Sequence, residues 1–281
     1  MKNCINLKVI LTLVVCVVAA GIQAQTLSLK WKTDTVFRVP ESTYLDAKSN
    51  LLYVANIEGK SDEKDGKGFI SKMTPDGKVT NLQWVTGLNA PKGMGVYKNN
   101  LYVADLSRIV TIDIASGKPT FTEVEGARFL NDISIDEKGN VYASDSRSGK
   151  IYRFANGKAE LYFENADIKS TNGVLAQKDA LYFVDFQSGD FYKLDWNKQL
   201  TKVGTAATGG DGIVSVGKNE FIISSWHGEV YFMDANGKAF KLLDTKDQKL
   251  NTADVGYDAK NKTLYVPTFF GNSVMAYTFQ K

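Results

Sequence analysis

The chain has 281 residues, 43% hydrophobic and 23% charged, with 34 basic residues against 31 acidic and one histidine. That composition is globular, and a net charge of +3 leaves no basic footprint of the kind nucleic-acid binding needs. The two cysteines are Cys4 and Cys16, so the chain beyond them has neither a disulfide nor a thiolate to offer.

In chain order, Lys2 and Lys8 precede an apolar run from Val9 to Ala20, and Ile22-Gln23-Ala24 presents a small residue before Gln25. This reads as a secretory signal peptide over residues 1–24, too short for a comfortable membrane span and followed by no stop-transfer pattern. The expected destination is periplasmic or secreted; a lipid anchor on Cys16 is disfavoured by the bulky Val15 before it. Without Lys2 and Lys8 the 34 basic residues become 32 against 31 acidic, a net charge of +1. No other apolar stretch approaches membrane length.

Thr26–Trp31 (TLSLKW) is a lone strand pattern, and after it an internal repeat begins. Leu51–Asn56 (LLYVAN), Asn100–Asp105 (NLYVAD), Asn140–Asp145 (NVYASD), Ala180–Asp185 (ALYFVD), Glu220–Ser225 (EFIISS) and Thr263–Thr268 (TLYVPT) read as one strand type. Their marks, Tyr53, Tyr102, Tyr142, Tyr182, Ile222 and Tyr265, are spaced by 49, 40, 40, 40 and 43 residues. Short strands at a period near forty are the pattern of propeller blades; helical repeats share the period but not this Val-, Tyr- and Phe-rich composition.

Each repeat resolves into four strands, with the mark on the second. Ser116-Gly117, Asn156-Gly157 and Asn236-Gly237 begin 14 residues after their marks and predict tight turns between third and fourth strands. The first repeat is longer because 58–67 (EGKSDEKDGK) is a charged excursion, and the sixth ends one strand short. The expected fold is an all-β, six-bladed propeller of four-stranded blades over 25–281, closed by Thr26–Trp31 as the outer strand of the last blade. With closed edges and little net charge, a monomer is the default.

A second regularity lies ten to twelve residues before each mark, where Glu41, Lys92, Asn131, Asn172, Asp211 and Asp254 fall one per repeat. That phase is the start of the innermost strand, so the six side chains should face the channel at one end. Five of the six carry oxygen donors, and three carboxylates around an axis repel one another unless a cation sits among them. Oxygen donors of this kind suit a calcium-type divalent ion, ahead of magnesium, manganese or zinc. With one histidine and no cysteine in the body, soft-ligand metal sites are disfavoured. Glu41, Asn172, Asp211 and Asn131 are the expected ligands, with Asp254 a contact to substrate or ring. Asn172-Gly173 and Asp211-Gly212 are also hairpin-turn dipeptides, but they precede the marks where the turns follow them. Asp132 should point to the other side of its strand in a structural role.

Connections between second and third strands return to the same end and should wall the site with Arg108, Arg147, Phe186, Trp226, His227, Phe269 and Phe270, the 58–67 excursion acting as a lid. Arg147 is a candidate for a ligand carboxylate or phosphate, and His227 for a pocket-lining or surface position rather than a catalytic one, with substrate contact as its expected role. No Gly-x-Ser-x-Gly elbow is present to suggest a serine hydrolase.

Taken together, VPESTYLD around Glu41, FLNDISID around Asn131, STNGV around Asn172 and GGDGI around Asp211 resemble the gluconolactonase/regucalcin (senescence marker protein) family, and more distantly paraoxonases and diisopropyl fluorophosphatase. The resemblance spans the body of the chain. It implies that Glu41, Asn172 and Asp211 hold a catalytic divalent ion and that Asn131 contacts ion or substrate. It also implies hydrolysis of a lactone or similar ester, sugar-derived ones included, with Asp211 as general base or nucleophile. Two departures stand out: Glu41-Ser42-Thr43 replaces the family's Glu-Gly-Pro, and a lone His227 cannot form the histidine dyad of paraoxonases. The alternative is a non-enzymatic extracytoplasmic binding propeller whose ion is structural and whose Trp226–Phe270 face docks a ligand.

Overall fold

A computed structural model describes residues 25–281; the proposed signal peptide lies outside the described residues. Six four-stranded antiparallel sheets surround a central channel. Blades 1 to 5 each run in chain order from inside to outside, with inner strands Pro40–Asp46, Pro91–Tyr97, Leu130–Ile135, Thr171–Ala176 and Gly210–Gly217. In blade 6 the inner strand is the short Gly256–Asp258, and the outermost is Thr26–Lys32 from the other end of the chain. It pairs with Val274–Gln280 from Thr26↔Gln280 to Lys32↔Met275, closing the ring as the repeat count requires, with a register shift between Leu29 and Trp31.

The second strands are buried on both faces because each blade packs against two neighbours. Ala180–Asp185 is buried throughout, whereas the outer strand Leu200–Thr205 is half-buried or exposed. The apolar cores therefore lie between blades: Tyr53, Ala55 and Ile70 of blade 1 pack with Leu101, Val103 and Val110 of blade 2. Each such large side chain, once fully buried, contributes about 1.5–3 kcal/mol to the packing. The Asn156-Gly157 turn has both residues at positive φ (51° and 77°), as a two-residue hairpin demands. At Ser116-Gly117 and Asn236-Gly237 only the glycine does, and the loops are longer.

One repeated device holds the channel face in place. In blades 1 to 5 the last residue of the second strand is polar and buried, and in blades 1 to 4 it accepts backbone N–H groups from the segment leading into the inner strand. Asn56 accepts from Arg38, Asp105 from Asn89 and Ala90, Asp145 from Arg128 and Phe129, and Asp185 from Lys169 and Ser170. A buried carboxylate is tolerated where several donors surround it.

Candidate functional site at the channel mouth

The loops so clamped deliver one residue each to the channel. Glu41, Lys92, Asn131, Asn172 and Asp211 are each the second residue of their inner strand, and all are buried. In each of the five strands the pairing slips across that residue: between Pro40 and Ser42, Pro91 and Met94, Leu130 and Ile133, Thr171 and Val174, and Gly210 and Ile213. Five bulges at one phase turn five side chains towards the axis, the usual effect of an unpaired residue in a ladder.

The glycines after Asn172 and Asp211 serve close approach rather than a turn. Neither has a positive φ; a Cβ on Gly173 would stand 1.8 Å from the Asp211 carbonyl oxygen, and one on Gly212 would stand 2.4 Å from Asp254 Oδ1. Inner strands of blades 4, 5 and 6 converge too tightly for any side chain there, which is how the Asn172 and Asp211 strands come to lie side by side.

Glu41, Lys92, Asn131, Asn172 and Asp211 line one cavity of about 340 Å³, together with Ser61, Phe129, Phe186, Trp226, Phe269 and Phe270. Nine buried side-chain polar atoms lack a hydrogen-bond partner among the described residues, and four of them are Glu41 Oε2, Asn131 Oδ1, Asn172 Oδ1 and Asp211 Oδ1. Buried oxygens are rarely left unpaired, and four of them on one small cavity form an acceptor-only cradle. Such a donor set, two carboxylates and two amide oxygens, suits a hard cation. Among the described residues no three His, Cys, Asp or Glu side chains cluster as a metal-binding group, since two of the four oxygens here come from amides.

Burial pushes the Glu41 carboxyl up to about 8, the Lys92 ammonium opposing and Asp254 adding to the shift. Asp211 is raised well above the usual carboxylate range by burial and then by the charges of Glu41 and Asp254, against Lys92. Burial lowers Lys92, and Glu41, Asp105 and Asp211 resist that. The protein without a cation therefore favours protonated carboxyls here, and a cation must displace protons to bind.

The other expected wall residues divide. Trp226, Phe269 and Phe270 form a stack of edge-to-face rings, with centroids 5.5 Å apart for Trp226–Phe269 and 4.7 Å for Phe269–Phe270, and Phe270 is 64% exposed at the rim. His227 is exposed beside Trp226 and does not line the cavity. Arg147 also stays outside it, pairing with Asp62 at 2.8 Å and lying over the Phe129 ring at 4.8 Å. Arg108 is held by Asp105 at 2.7 Å and stacks on Phe121.

Asp254 departs from the ring: its Oδ2 accepts a 2.6 Å hydrogen bond from Ser42, and it lines a different cavity with Asp132, deeper along the axis. Ser42-Thr43 thereby forms the seam between blades 6 and 1, where Asp254 N–H donates to the Glu41 carbonyl and Thr43 N–H to the Asp254 carbonyl. Asp132 is also fully engaged, accepting from the Ile133 and Val174 backbone at 2.6 and 2.7 Å. The 58–67 excursion reaches across the mouth. Ser61 lines the cavity, Asp62 meets Arg147 of blade 3, and Lys64 donates to Ser107 of blade 2 at 2.6 Å.

The signal missed in sequence was the polar residue ending the second strands of blades 1 to 5, Asn56, Asp105, Asp145, Asp185 and Ser225, with Thr268 one residue beyond the strand in blade 6. Its recurrence at one phase marked a shared task as clearly as the ring did.

No protein-family model matches the chain, and no curated protein does. Solved structures do. A streptogramin B lyase superposes with a TM-score of 0.67 at 10% identity, covering 92% of this chain and 98% of that one. A catalytically inactive virginiamycin B lyase from Staphylococcus aureus, with quinupristin, gives 0.63 at 13%, covering 91% and 99%. A structural genomics protein of unknown function from Bacteroides thetaiotaomicron gives 0.66 at 14%, covering 92% and 76%. What is shared at such identities is the six-bladed architecture. Among the described residues no helix is long and apolar enough to cross a membrane.

Proposed function

We propose that this chain is an exported, divalent-cation-dependent hydrolase of small lactones or related esters, working at the channel mouth. The observation that carries the reading is the set of four unpartnered oxygens, Glu41 Oε2, Asn131 Oδ1, Asn172 Oδ1 and Asp211 Oδ1, on one cavity open to solvent. These residues would hold the ion, calcium foremost. When bound, it supplies positive charge that polarises a substrate carbonyl and stabilises the negative charge developing on it.

The protein's own contribution follows from the cavity. Asp211 Oδ1 takes a proton from a water as that water's oxygen bonds to the carbonyl carbon; the acyl carbon–oxygen bond then breaks and the departing oxygen gains a proton. Asn131 orients the substrate, and the aromatic walls of Phe129, Phe186, Trp226 and Phe269 hold its apolar faces and limit water. A sugar-derived lactone, with C–H faces and hydroxyls, fits such walls. Export, a 25–281 mature body and a monomeric state belong to the same reading.

The exposed ring of Phe270 favours one second reading, a binding propeller with a structural ion, because an exposed aromatic rim also suits docking. A third outcome comes from the structural neighbours, two of which are named as lyases. One experiment separates the three: a lactone panel plus quinupristin, assayed with calcium and after chelation, with products weighed by mass spectrometry. Gain of one water establishes hydrolysis, ring opening without mass gain establishes elimination, and unchanged substrate with a bound ion moves the assignment to the binding module.

A further inference from the structure

Lys92 is the one member of the channel ring that carries no oxygen donor. Its side chain is 1% exposed, and it lines the cavity that holds the four unpartnered oxygens. A lysine kept as a counter-ion normally touches a carboxylate, as Arg108 touches Asp105 at 2.7 Å and Lys241 touches Glu229 at 3.0 Å. Among the described residues Lys92 Nζ makes no ion pair and no hydrogen bond; it lies over the Phe129 ring, 4.7 Å from the centroid. An ammonium has three N–H donors, and leaving all of them unused in a buried site is costly unless a ligand uses them.

The cavity therefore presents two kinds of unused group, four bare acceptors and one bare donor cation. Once a divalent ion has displaced the carboxyl protons, Glu41 and Asp211 supply −2 against +3 from Lys92 and the ion, which leaves +1. A neutral substrate answers only the ion. A substrate bearing an additional anionic oxygen group answers both and neutralises the pocket. A carboxylate's single negative charge balances the +1 of the loaded pocket, which a phosphate monoester's charge of about −2 would overshoot.

We infer that Lys92 is a specificity-determining residue that binds a carboxylate already present on the substrate, so that the preferred substrates are acidic lactones or esters rather than neutral ones. The assignment of reaction type rests on the function proposed above; the anion preference itself does not. Phe129 positions the ammonium by lying beneath it, and the aromatic walls exclude the water that would otherwise screen the pair.

The test compares glucaro-1,4-lactone, which bears a free carboxylate, with glucono-1,4-lactone, which is neutral and has the same ring. Binding is measured by calorimetry at saturating calcium on full-length protein, in an Asp211→Asn background that prevents turnover; its amide keeps one oxygen for the ion, and its calcium loading is verified first. The acidic lactone should bind about tenfold or more tightly than the neutral one, the worth of one charge-assisted hydrogen bond. Lys92→Met should abolish that preference while leaving the neutral lactone's Kd within about twofold, and Lys92→Arg should retain most of it. The comparison of the two lactones needs no Lys92 variant, so misfolding of Lys92→Met cannot shield the inference. Equal Kd values, no binding of the acidic lactone, or equal weakening of both ligands by Lys92→Met would each overturn it. Calcium-dependent hydrolysis of the neutral lactone without acid preference sinks Lys92 and keeps the hydrolase. Acid preference without turnover by the unsubstituted protein does the reverse.

Discussion

At the scale of single residues, the site is defined by what its atoms lack. Among the described residues Asp211 Oδ1 has no partner, so Asp211→Asn exchanges one bare oxygen for an amide and removes the proton acceptor without altering volume. The expected loss of hydrolysis is about 10²–10⁴-fold, with the fold retained by circular dichroism; undiminished turnover would remove Asp211 from the chemistry. The raised carboxyls make a second prediction. A carboxyl whose folded pKa stands above its unfolded value stabilises the protein below the unfolded value and loses that contribution as pH rises through the folded one. For Glu41 the window runs from 4.5 to about 8, and for Asp254 from 3.8 to about 7. In chelator, the thermal midpoint should fall between pH 5 and pH 8, by a few kcal/mol of stability in total. Saturating calcium should remove the fall, because it takes the deprotonated form; a midpoint that rises with pH in chelator would refute the assignment. The ring was legible in sequence because it repeats at one phase. The pairing of Asp254 with Ser42 was not, because the two lie 212 residues apart and meet only at the closure of the ring. Of the two positions open to His227, the structure has the surface one: Trp226 lines the cavity, and the next side chain is exposed.

At the scale of strands and loops, the inner strands owe their placement to the second strands' last residues. Asp185 accepts from the Lys169, Ser170, Gln187 and Ser188 backbone and from the Ser188 hydroxyl, at 2.9–3.1 Å. Asp185→Ala strands those donors just ahead of Asn172. It should cost on the order of 3 kcal/mol and weaken calcium binding, although Asp185 is not among the cavity-lining residues. Calorimetry with calcium, run beside a thermal melt, checks both, and unchanged calcium affinity would separate the clamp from the site. The strap over the mouth predicts the opposite combination. Its Asp62–Arg147 pair is half-exposed, so Asp62→Ala should leave the melt unmoved and raise KM with little change in kcat. An effect on kcat alone would count against a covering role for the strap. Strand order and the place of the excursion followed from repeat spacing alone. The bulges did not, because a slip in pairing depends on the partner strand and leaves no mark in the alternation of one strand.

At the scale of the whole molecule, a propeller is held by its last junction. Thr26–Lys32 supplies the fourth strand of blade 6, and Trp31 packs against the cluster of Phe37, Tyr265, Val274 and Ala276. The same junction carries the bridge between Ser42 and Asp254 and the hydrogen bonds that frame Glu41, so closure and ligand geometry share one seam. Deleting residues 25–32 leaves Val274–Gln280 as a bare edge seven residues long, a template for pairing with another chain. The truncated protein should form dimers or larger species by light scattering and melt well below the intact chain. It should also bind calcium more weakly, because the Glu41 carbonyl is itself bonded across the seam between blades 6 and 1, which the deletion loosens from the outside. Adding the excised strand as a peptide should restore the melt and calcium affinity together. Recovery of the melt without recovery of affinity would show that the channel mouth is built by the inner strands alone, and that closure serves only to protect the edge.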